Sequence, residues 1–425
     1  MQTLESKLVV LADAARFDAS CAISVADAKR TSPNADLGIY ESTGPDGSRL
    51  ALLKILLTNE CIFDCSYCVN RRTSDVARAR FTPAEVVALT LDYHRRGLIN
   101  GLFLSSGVIE SPDATMEQLV QVARTLRRTH HYFGYIHLKT IPDCSPELIE
   151  EAGRWADRLS VNIEMPRQAD LERFAPEKSL VQITRAMGVI RDRIGEDARL
   201  VPDRADAPNA GLSGLHHRAR GYRRFAPAGQ TTQMIIGASD ATDAEVLFAA
   251  ASLYGRERLR RIYYSAYIPV AAAGSSLPEA APPLMRERRL YQADWLMRDY
   301  GYSPGDLAPP GAENLDLTIE PKLAWALRNP DRFPVDVNRA NKAELLRVPG
   351  FGRRTVDAIV QTRRRSRVRI ADLGAMRVPL ARALPFVVTA DHLPRELPSG
   401  ILTLPDPVQR HQQLELFSEP RDAST

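Results

Sequence analysis

The chain has little of what would stabilise a small secreted protein or anchor a protein in a membrane. Its 425 residues include five cysteines, and three of those lie within eight residues. That odd, clustered set does not fit a disulfide framework. No apolar run approaches the roughly 18–20 residues that cross a bilayer, and the first residues lack the layout of a secretory signal. We therefore expect a cytoplasmic protein with no membrane contact.

The net charge is also small, +4 at pH 7, but it is unevenly distributed. The segment Asp336–Arg377 holds eleven Lys/Arg and four Asp/Glu, a local charge of +7, so the rest of the chain sums to −3. A basic segment of this kind is suited to a polyanion such as nucleic acid. The length predicts two or more domains rather than one core.

Short apolar runs of β-type residues alternate with amphipathic segments from about Leu52 to Pro269. One such segment, Thr82–Arg96, opens with Thr-Pro-Ala-Glu, a capping box that predicts a helix start. The alternation predicts an α/β domain of parallel strands with right-handed crossovers. Six units indicate a partial (β/α)6 barrel like an incomplete TIM barrel, although a doubly wound sheet would give the same alternation. The six runs are 52–58, 101–106, 135–140, 158–164, 232–237 and 261–268.

Composition divides the chain into five parts. A segment at about 199–229, rich in Pro, Gly and Arg, interrupts the barrel, and loops of that length are usually functional or disordered. The predicted parts are an N-terminal extension (1–50), the barrel (51–270), a helical connector (271–334), a small basic all-α module (335–390) and a flexible tail (391–425).

Three cysteines directly follow the first predicted strand. Ligands in α/β folds collect beyond the carboxyl ends of strands, where Cys61, Cys65 and Cys68 would lie. Their thiolates can hold three corners of a [4Fe–4S] cube and leave the fourth iron open to a small molecule. Two alternatives stay open. A structural zinc site would need a fourth ligand, and Cys21 or Cys144 could complete a fully ligated cluster.

The segment C-I-F-D-C-S-Y-C resembles the signature of the radical S-adenosylmethionine (SAM) superfamily, C-x3-C-x-Φ-C with an aromatic residue before the last cysteine. With the six β–α units, the resemblance covers about half of the chain. It implies a radical SAM enzyme with a [4Fe–4S] cluster and SAM as cofactors. It also implies a 5′-deoxyadenosyl radical that abstracts a substrate hydrogen, and an electron donor such as flavodoxin or ferredoxin.

The same resemblance implies roles for residues near the cysteines. Tyr67 would contact the adenine of SAM. Ser105-Ser106-Gly107 stands where the family has a Gly-Gly-Glu motif for the SAM amino group, although no Glu follows directly and Glu110 is displaced. Four arginines after the cysteines are candidates for phosphate or the SAM carboxylate, or form a solvated loop: Arg71, Arg72, Arg78 and Arg80.

Later strands carry further candidates. Asn162 and Glu164 resemble polar positions of the family near the ribose, although alternating polar residues also line barrel interiors. Gly237 resembles the fifth-strand position whose backbone meets the adenine. Cys144, after the third strand, could donate a hydrogen atom or proton to a substrate radical, as a cysteine does in the related photoproduct-repair lyases. The alternative is a bystander thiol.

The basic module contains two predicted helices, Lys342–Val348 and Arg353 to about Thr362, around Pro349-Gly350-Phe351-Gly352. Glycine permits close approach of the backbone to a ligand, and the first N–H groups of a helix can bind phosphate. This segment resembles a helix-hairpin-helix DNA-binding motif, in which Gly350, Gly352, Arg353 and Arg354 would contact the nucleic acid. The alternative is a small helical module that packs domains or binds protein.

Near the end of the chain, the pentapeptide Gln413-Leu414-Glu415-Leu416-Phe417 resembles the peptide with which bacterial repair proteins bind the DNA sliding clamp. Leu416 and Phe417 would enter an apolar pocket, and Gln413 and Leu414 would complete the anchor. The alternative is a tail that covers a hydrophobic patch on its own barrel.

The combination of barrel and basic module resembles a bacterial family of radical SAM proteins assigned to DNA modification or repair and linked to a uracil-DNA-glycosylase-like partner. The sequence therefore predicts a radical SAM enzyme that acts on DNA, with an undefined final reaction. RNA modification, in particular of tRNA, is the second hypothesis. A non-catalytic DNA-binding protein that contains a cluster is the third.

Overall fold

The computed structural model describes residues 2–17, 37–43, 49–200, 224–269 and 277–394. The chain divides into two compact units, Met1–Ala241 with Ala249–Glu287, and Thr242–Phe248 with Arg288–Thr425. Among the described residues, no helix is both long and apolar enough to cross a membrane. The clamp-like residues Gln413, Leu414, Leu416 and Phe417, and most of the predicted 199–229 interruption, lie outside the described residues.

The first unit is built on a curled seven-stranded sheet in sequence order, a half-barrel. Strands β2 to β7 pair in parallel, while β1 pairs with β2 in antiparallel orientation. The strands are β1 (Ile39–Thr43), β2 (Arg49–Leu56), β3 (Gly101–Ser105), β4 (Tyr135–Lys139), β5 (Arg158–Ser160), β6 (Gln230–Ile236) and β7 (Arg261–Ala266).

The six predicted strands and the predicted partial barrel are thus confirmed, and β1 adds a strand that the sequence did not predict. The fourth predicted strand is shorter than expected, because regular pairing in β5 ends at Ser160. Beyond it, Glu164 takes a positive φ of 63° and makes only an isolated bridge to Met234. A left-handed residue interrupts the pleat of a strand.

Helices connect the parallel strands and begin where the sequence indicates. The capping box at Thr82 is present, because its hydroxyl accepts from the Glu85 N–H and the Glu85 carboxylate accepts from the Thr82 N–H. The helices of the described chain up to residue 257 are α1 (Leu4–Ala15), α2 (Pro83–Arg95), α3 (Pro112–Arg128), α4 (Pro146–Trp155), α5 (Gln168–Phe174), α6 (Leu180–Leu200) and α7 (Asp243–Glu257).

The second unit consists mainly of short helices closed by a two-stranded parallel sheet. The predicted helices Leu284–Tyr300 and Arg353–Thr362 are confirmed, and Lys342–Arg347 ends one residue earlier than predicted. The elements are α8 (Leu284–Tyr300), α9 (Pro304–Leu307), α10 (Pro321–Arg328), a 3₁₀ turn (Pro330–Arg332), β8 (Val335–Asp336), α11 (Lys342–Arg347), α12 (Arg353–Thr362), α13 (Ile370–Ala375), α14 (Leu380–Ala383), a second 3₁₀ turn (Leu384–Phe386) and β9 (Val387–Val388).

A buried ion pair connects α3 to the start of β5 in the first unit. The Arg127 guanidinium lies 2.6 Å from the Asp157 carboxylate, and the two side chains are 7% and 10% exposed. Asp157 also accepts from the Ile136 N–H, so the pair orders the edge between β4 and β5. Removing one partner of a buried pair is costly because the other charge is left unpaired in a poorly solvated place.

We expect Asp157→Ala to lower the free energy of unfolding by about 3–5 kcal/mol, because Arg127 keeps its charge without a carboxylate. The matched control is Glu151→Ala. Glu151 pairs with Arg124, which lies on α3 as Arg127 does, and the Glu151 and Arg124 side chains are 31% and 45% exposed. That control should cost less than about 1 kcal/mol. Chemical denaturation of both variants measures the difference, and equal losses would contradict the prediction.

Candidate active site

The cysteine loop follows β2 at the carboxyl edge of the parallel sheet and pairs with the segment that follows β3. The Gly107 N–H donates to the Thr58 carbonyl at 2.8 Å, and the Ile62 N–H donates to the Val108 carbonyl at 2.8 Å. In return, the Val108 N–H points at the Cys61 Sγ at 3.4 Å. Two sheet-edge segments therefore hold the first cysteine.

Gly107 is required by this pairing. A Cβ at this position would lie 2.2 Å from the Glu60 carbonyl oxygen and 3.3 Å from the Cys61 Cβ. Any side chain would push the cysteine loop away from β3, since real Cβ atoms do not approach a carbonyl oxygen so closely. Of the predicted Ser105-Ser106-Gly107 segment, Ser105 is buried, and the Ser106 hydroxyl is bonded to the Gly107 carbonyl.

Arg78 holds the loop by its backbone. Its guanidinium donates to four carbonyl oxygens, so the residue organises the polypeptide around the cysteines. The sequence left Arg78 as a candidate for phosphate or for the SAM carboxylate, but its donors are used within the loop. The carbonyls belong to Asn59, Asn70, Arg71 and Ser74.

The three thiols lie close enough to influence each other's protonation. Burial raises the pKa of Cys65, and the neighbouring Cys61 raises it further. Burial, with the charge of Cys65, raises the pKa of Cys68 to about 12. Cys65 and Cys68 are therefore neutral until iron binds, and cluster assembly releases their protons because thiolates are the ligands.

Cys61, Cys65 and Cys68 lie in one loop whose backbone is held on both sides. Their thiolates fit a [4Fe–4S] cube, in which each cysteine would bind a different iron and one corner would stay open.

A buried charge cluster lies beside the cysteine loop, and its central residue was missed by the sequence analysis. Lys178 donates to the Glu164 carboxylate at 2.8 Å and to the Tyr67 hydroxyl at 3.2 Å. Although burial alone would lower the pKa of Lys178, Glu164 and then Tyr67 hold it well above its ordinary value. Burial, reinforced by Glu164, raises the pKa of Tyr67. Lys178 is thus charged, and Tyr67 is a neutral phenol.

The chain between β5 and α6 brings Lys178 to this place by packing against the back of the cysteine loop. The Ser66 N–H donates to the Phe174 carbonyl at 2.8 Å, and the Asp64 N–H donates to the Glu177 carboxylate at 3.0 Å. No spacing pattern in the sequence signals this contact. The only local signal is the Glu177-Lys178 pair at a turn between two helices.

The remaining candidates for the SAM site, Asn162 and Gly237, make contacts within the protein. Asn162 is buried, and its amide donates to the Gln233 side chain at 3.4 Å. Gly237 has a positive φ of 80°, and a Cβ there would lie 2.6 Å from the Pro282 ring. Both positions face contacts within the protein. Their proposed roles toward SAM stay predictions.

Cys144 lies at the start of α4 next to Asp113, whose carboxylate accepts from the following Ser145 N–H at 2.7 Å. Burial, with the Asp113 charge, raises the pKa of Cys144 to about 12. Partial burial raises the pKa of the preceding Asp143, and the Lys178 ammonium opposes that rise. In this loop Asp143, rather than Cys144, is therefore coupled to the charge cluster.

In the second unit, the segment between α11 and α12 forms a tight turn. The Phe351 N–H donates to the Val348 carbonyl at 3.1 Å, and Gly350 has a positive φ of 83°. Gly352 is the N-cap of α12 without a side-chain cap. Arg354 is exposed, and Arg353 is paired with Asp299 at 2.7 Å.

We expect Lys178→Met to lower the free energy of unfolding of the cluster-free protein by about 3 kcal/mol or more, because the buried Glu164 carboxyl would lose its partner. Adding Glu164→Gln removes that carboxyl and should recover about 1–3 kcal/mol. Chemical denaturation of the wild type, both single variants and the double variant measures this coupling. Strict additivity of the two substitutions would contradict the buried ion pair.

Comparison with known proteins agrees with this geometry. Residues 55–197 match the family model described as the Radical SAM superfamily. This match includes the three cysteines, so the chain carries a radical SAM domain with the C-x3-C-x2-C motif. Members of this superfamily are enzymes that use a [4Fe–4S] cluster and SAM. No match is found among curated proteins.

Several solved structures share a distant likeness. The FeFe-hydrogenase maturase HydG from Carboxydothermus hydrogenoformans is 14% identical, with 57% of this chain and 50% of that chain covered at a TM-score of 0.41. Methylornithine synthase (PylB) is 12% identical, with 69% and 67% covered at 0.38. Coproporphyrinogen III oxidase (HemN) from Escherichia coli is 12% identical, with 56% and 50% covered at 0.31. The chain thus spans about half the length of HydG and HemN.

Proposed function

On the premise that residues 55–197 form a radical SAM domain, we propose that this protein cleaves SAM reductively and acts on DNA in repair or modification. When bound, the [4Fe–4S] cluster and SAM supply a 5′-deoxyadenosyl radical that can abstract a hydrogen atom from a substrate. The observation that supports this best is the three-cysteine loop, fixed at the carboxyl edge of the parallel sheet by Gly107 and Arg78.

Different residues of the site would bind the cluster and the separate parts of SAM. Cys61, Cys65 and Cys68 hold the cluster as thiolates. Tyr67, whose hydroxyl accepts a hydrogen bond from Lys178, would contact the adenine of SAM. Other residues complete the proposed SAM site: Ser105, Ser106 and Gly107 for the amino group, Asn162 and Glu164 for the ribose, and the Gly237 backbone for the adenine.

The exposed charge of the second unit supports DNA as the substrate. Most of the basic side chains in Asp336–Arg377 are exposed, and no carboxylate forms an ion pair with Arg354, Arg364 or Arg365 within the part of the chain that is described. Cations of this kind bind the phosphate backbone by releasing counterions. The turn at Gly350–Gly352 and the start of α12 would approach the phosphates closely.

Partners follow from this proposal. An electron donor such as flavodoxin or ferredoxin would reduce the cluster. The sliding clamp and a uracil-DNA-glycosylase-like protein are further proposed partners from the tail and from the family resemblance.

Cys65→Ala should abolish both cluster binding and the formation of 5′-deoxyadenosine, because a cube held by two thiolates loses an anchor. The experiment reconstitutes wild type and variant, reduces both with dithionite, and measures iron, sulfide, the absorbance near 400 nm and 5′-deoxyadenosine. Cys144→Ala is the control and should retain the cluster. Full iron content in Cys65→Ala would refute the ligand assignment, and wild-type protein that makes no 5′-deoxyadenosine would refute the enzyme.

Gly352→Val should weaken duplex DNA binding about equally for all sequences, since phosphate contacts carry little sequence information. This position accepts a side chain within the protein, because the nearest atom to an added Cβ is the Tyr300 hydroxyl at 3.8 Å. Gly374→Val is the matched control, since an added Cβ there meets nothing within 4 Å. Binding is measured by fluorescence anisotropy at several salt concentrations, with tRNA alongside DNA. Unchanged affinity of Gly352→Val would favour a protein-binding module, and preferential binding of tRNA would favour RNA modification.

A further inference from the structure

A cavity of about 310 Å³ lies in the second unit beside the turn at Gly350–Gly352. Its walls include Trp295 and Tyr300 of α8, Lys322 of α10 and Arg382 of α14. Its volume is at the small end of the range for ligand sites, about 300–1,000 Å³. We call it the Trp295 cavity. None of its lining residues belongs to the cysteine site.

One wall of the Trp295 cavity is an exposed indole. Trp295 is 62% exposed, although tryptophan is one of the residue types that gain most from burial. The other two tryptophans differ, because Trp325 is 3% exposed and Trp155 is neither fully buried nor exposed. A planar aromatic ligand would cover the indole face and recover that burial by stacking.

The Trp295 cavity is also lined by a nearly buried amine, Lys322. Lys322 is 7% exposed and donates to the Phe351 carbonyl at 2.6 Å. Its ammonium lies 4.8 Å from the centre of the Tyr300 ring. An ammonium has three N–H donors, and within the described residues only one of them makes a hydrogen bond. The other donors are available to an anion in the cavity.

The charges around Lys322 favour the binding of such an anion. Burial lowers the pKa of Lys322 to about 7; Glu320 raises it, and Arg347 and Arg382 lower it. Glu320 is itself paired with Arg382 at 2.8 Å. Arg347 is likewise paired with Asp306 at 3.4 Å. Both guanidinium groups thus have carboxylate partners, whereas no carboxylate of the described residues forms an ion pair with Lys322, so a bound anion would stabilise its charged form.

The first turn of α12 adds donors next to the same cavity. Gly352 lines the cavity, and no acceptor in the described residues bonds the N–H groups of Gly352 or Arg354. These N–H groups lie at the positive end of a ten-residue helix. Together with Lys322, they form a set of anion donors adjoining an aromatic wall.

We propose that the Trp295 cavity binds one unstacked nucleotide of a single-stranded or locally opened nucleic acid. The base stacks on Trp295, and the adjoining phosphate lies between Lys322 and the first turn of α12. A planar, apolar and anionic ligand matches each wall, and a nucleotide combines all three properties. This proposal rests on the proposed function, because it gives the nucleic-acid substrate a place where one unpaired nucleotide is held.

The test uses a seven-nucleotide single-stranded DNA and the same strand with an abasic site at its centre. Wild-type holoenzyme should bind the intact strand more tightly, and its tryptophan emission should be quenched. Trp295→Ala should weaken binding of the intact strand at least about fivefold and remove both the quenching and the preference over the abasic strand. Trp295→Phe should keep most of the affinity, and Leu317→Ala, which removes an exposed apolar residue outside the cavity, should change nothing.

A pH series tests the phosphate position separately. Binding a phosphate beside Lys322 favours the charged amine, so affinity for the intact strand should fall as pH rises from 6 to 8.5, across the pKa of about 7. Lys322→Met should flatten that dependence. The phosphate contacts of other basic side chains weaken when the salt concentration rises. The pH series is therefore run at constant ionic strength.

The outcomes separate this inference from the proposed function. If duplex and single strand both fail to bind, DNA as the substrate is refuted and the nucleotide site with it. If the strands bind but the abasic site changes neither affinity nor emission, the cavity does not hold a base, while DNA binding stands. If the affinity of the wild type for the intact strand does not change with pH, the phosphate does not bind beside Lys322.

Discussion

The contact between two backbone segments, one before Cys61 and one after β3, is the constraint on which the candidate active site depends. Gly107 lies so close to the Glu60 carbonyl that no side chain fits between them. That contact brings the Val108 N–H to the Cys61 sulfur and fixes the beginning of the loop. The later part of the loop is then held by Arg78, which satisfies carbonyl groups that a strained loop would otherwise leave unpaired.

The loop is also held from its other side by charge. Lys178, Glu164 and Tyr67 form one hydrogen-bonded set in a place with little water. A buried carboxylate is tolerated there only because the ammonium compensates it, and the ammonium in turn orients the Tyr67 hydroxyl. The unusual backbone of Glu164, with its positive φ, belongs to the same arrangement, because it lies beyond the regular strand at the position where the carboxylate meets Lys178.

The second unit uses a buried amine in a related way. Lys322 bonds the carbonyl of Phe351 in the turn between α11 and α12, so the turn is fixed by a side chain from another helix. The same amine lines the Trp295 cavity and retains donors for a ligand. Its low pKa follows from burial, and a bound anion would offset that cost. Structural support for the turn and the proposed recognition of a phosphate therefore involve the same residue.

The sequence by itself determined the features that are local in the chain. The parallel strands, the capped helix at Thr82 and the cysteine spacing follow from residue periodicity, capping chemistry and a motif of eight residues. The tertiary structure alone decided which distant residues meet them. β1 pairs with β2 in antiparallel orientation, although no hydrophobic alternation in the sequence predicts β1. Lys178 contacts Tyr67, which lies 111 positions away in the chain. Trp295 and Lys322 likewise meet the turn at Gly350–Gly352 only through packing. Periodicity describes neighbours a few residues apart, whereas these contacts depend on how separate elements pack, and burial then sets the charges and pKa values of the groups they bring together.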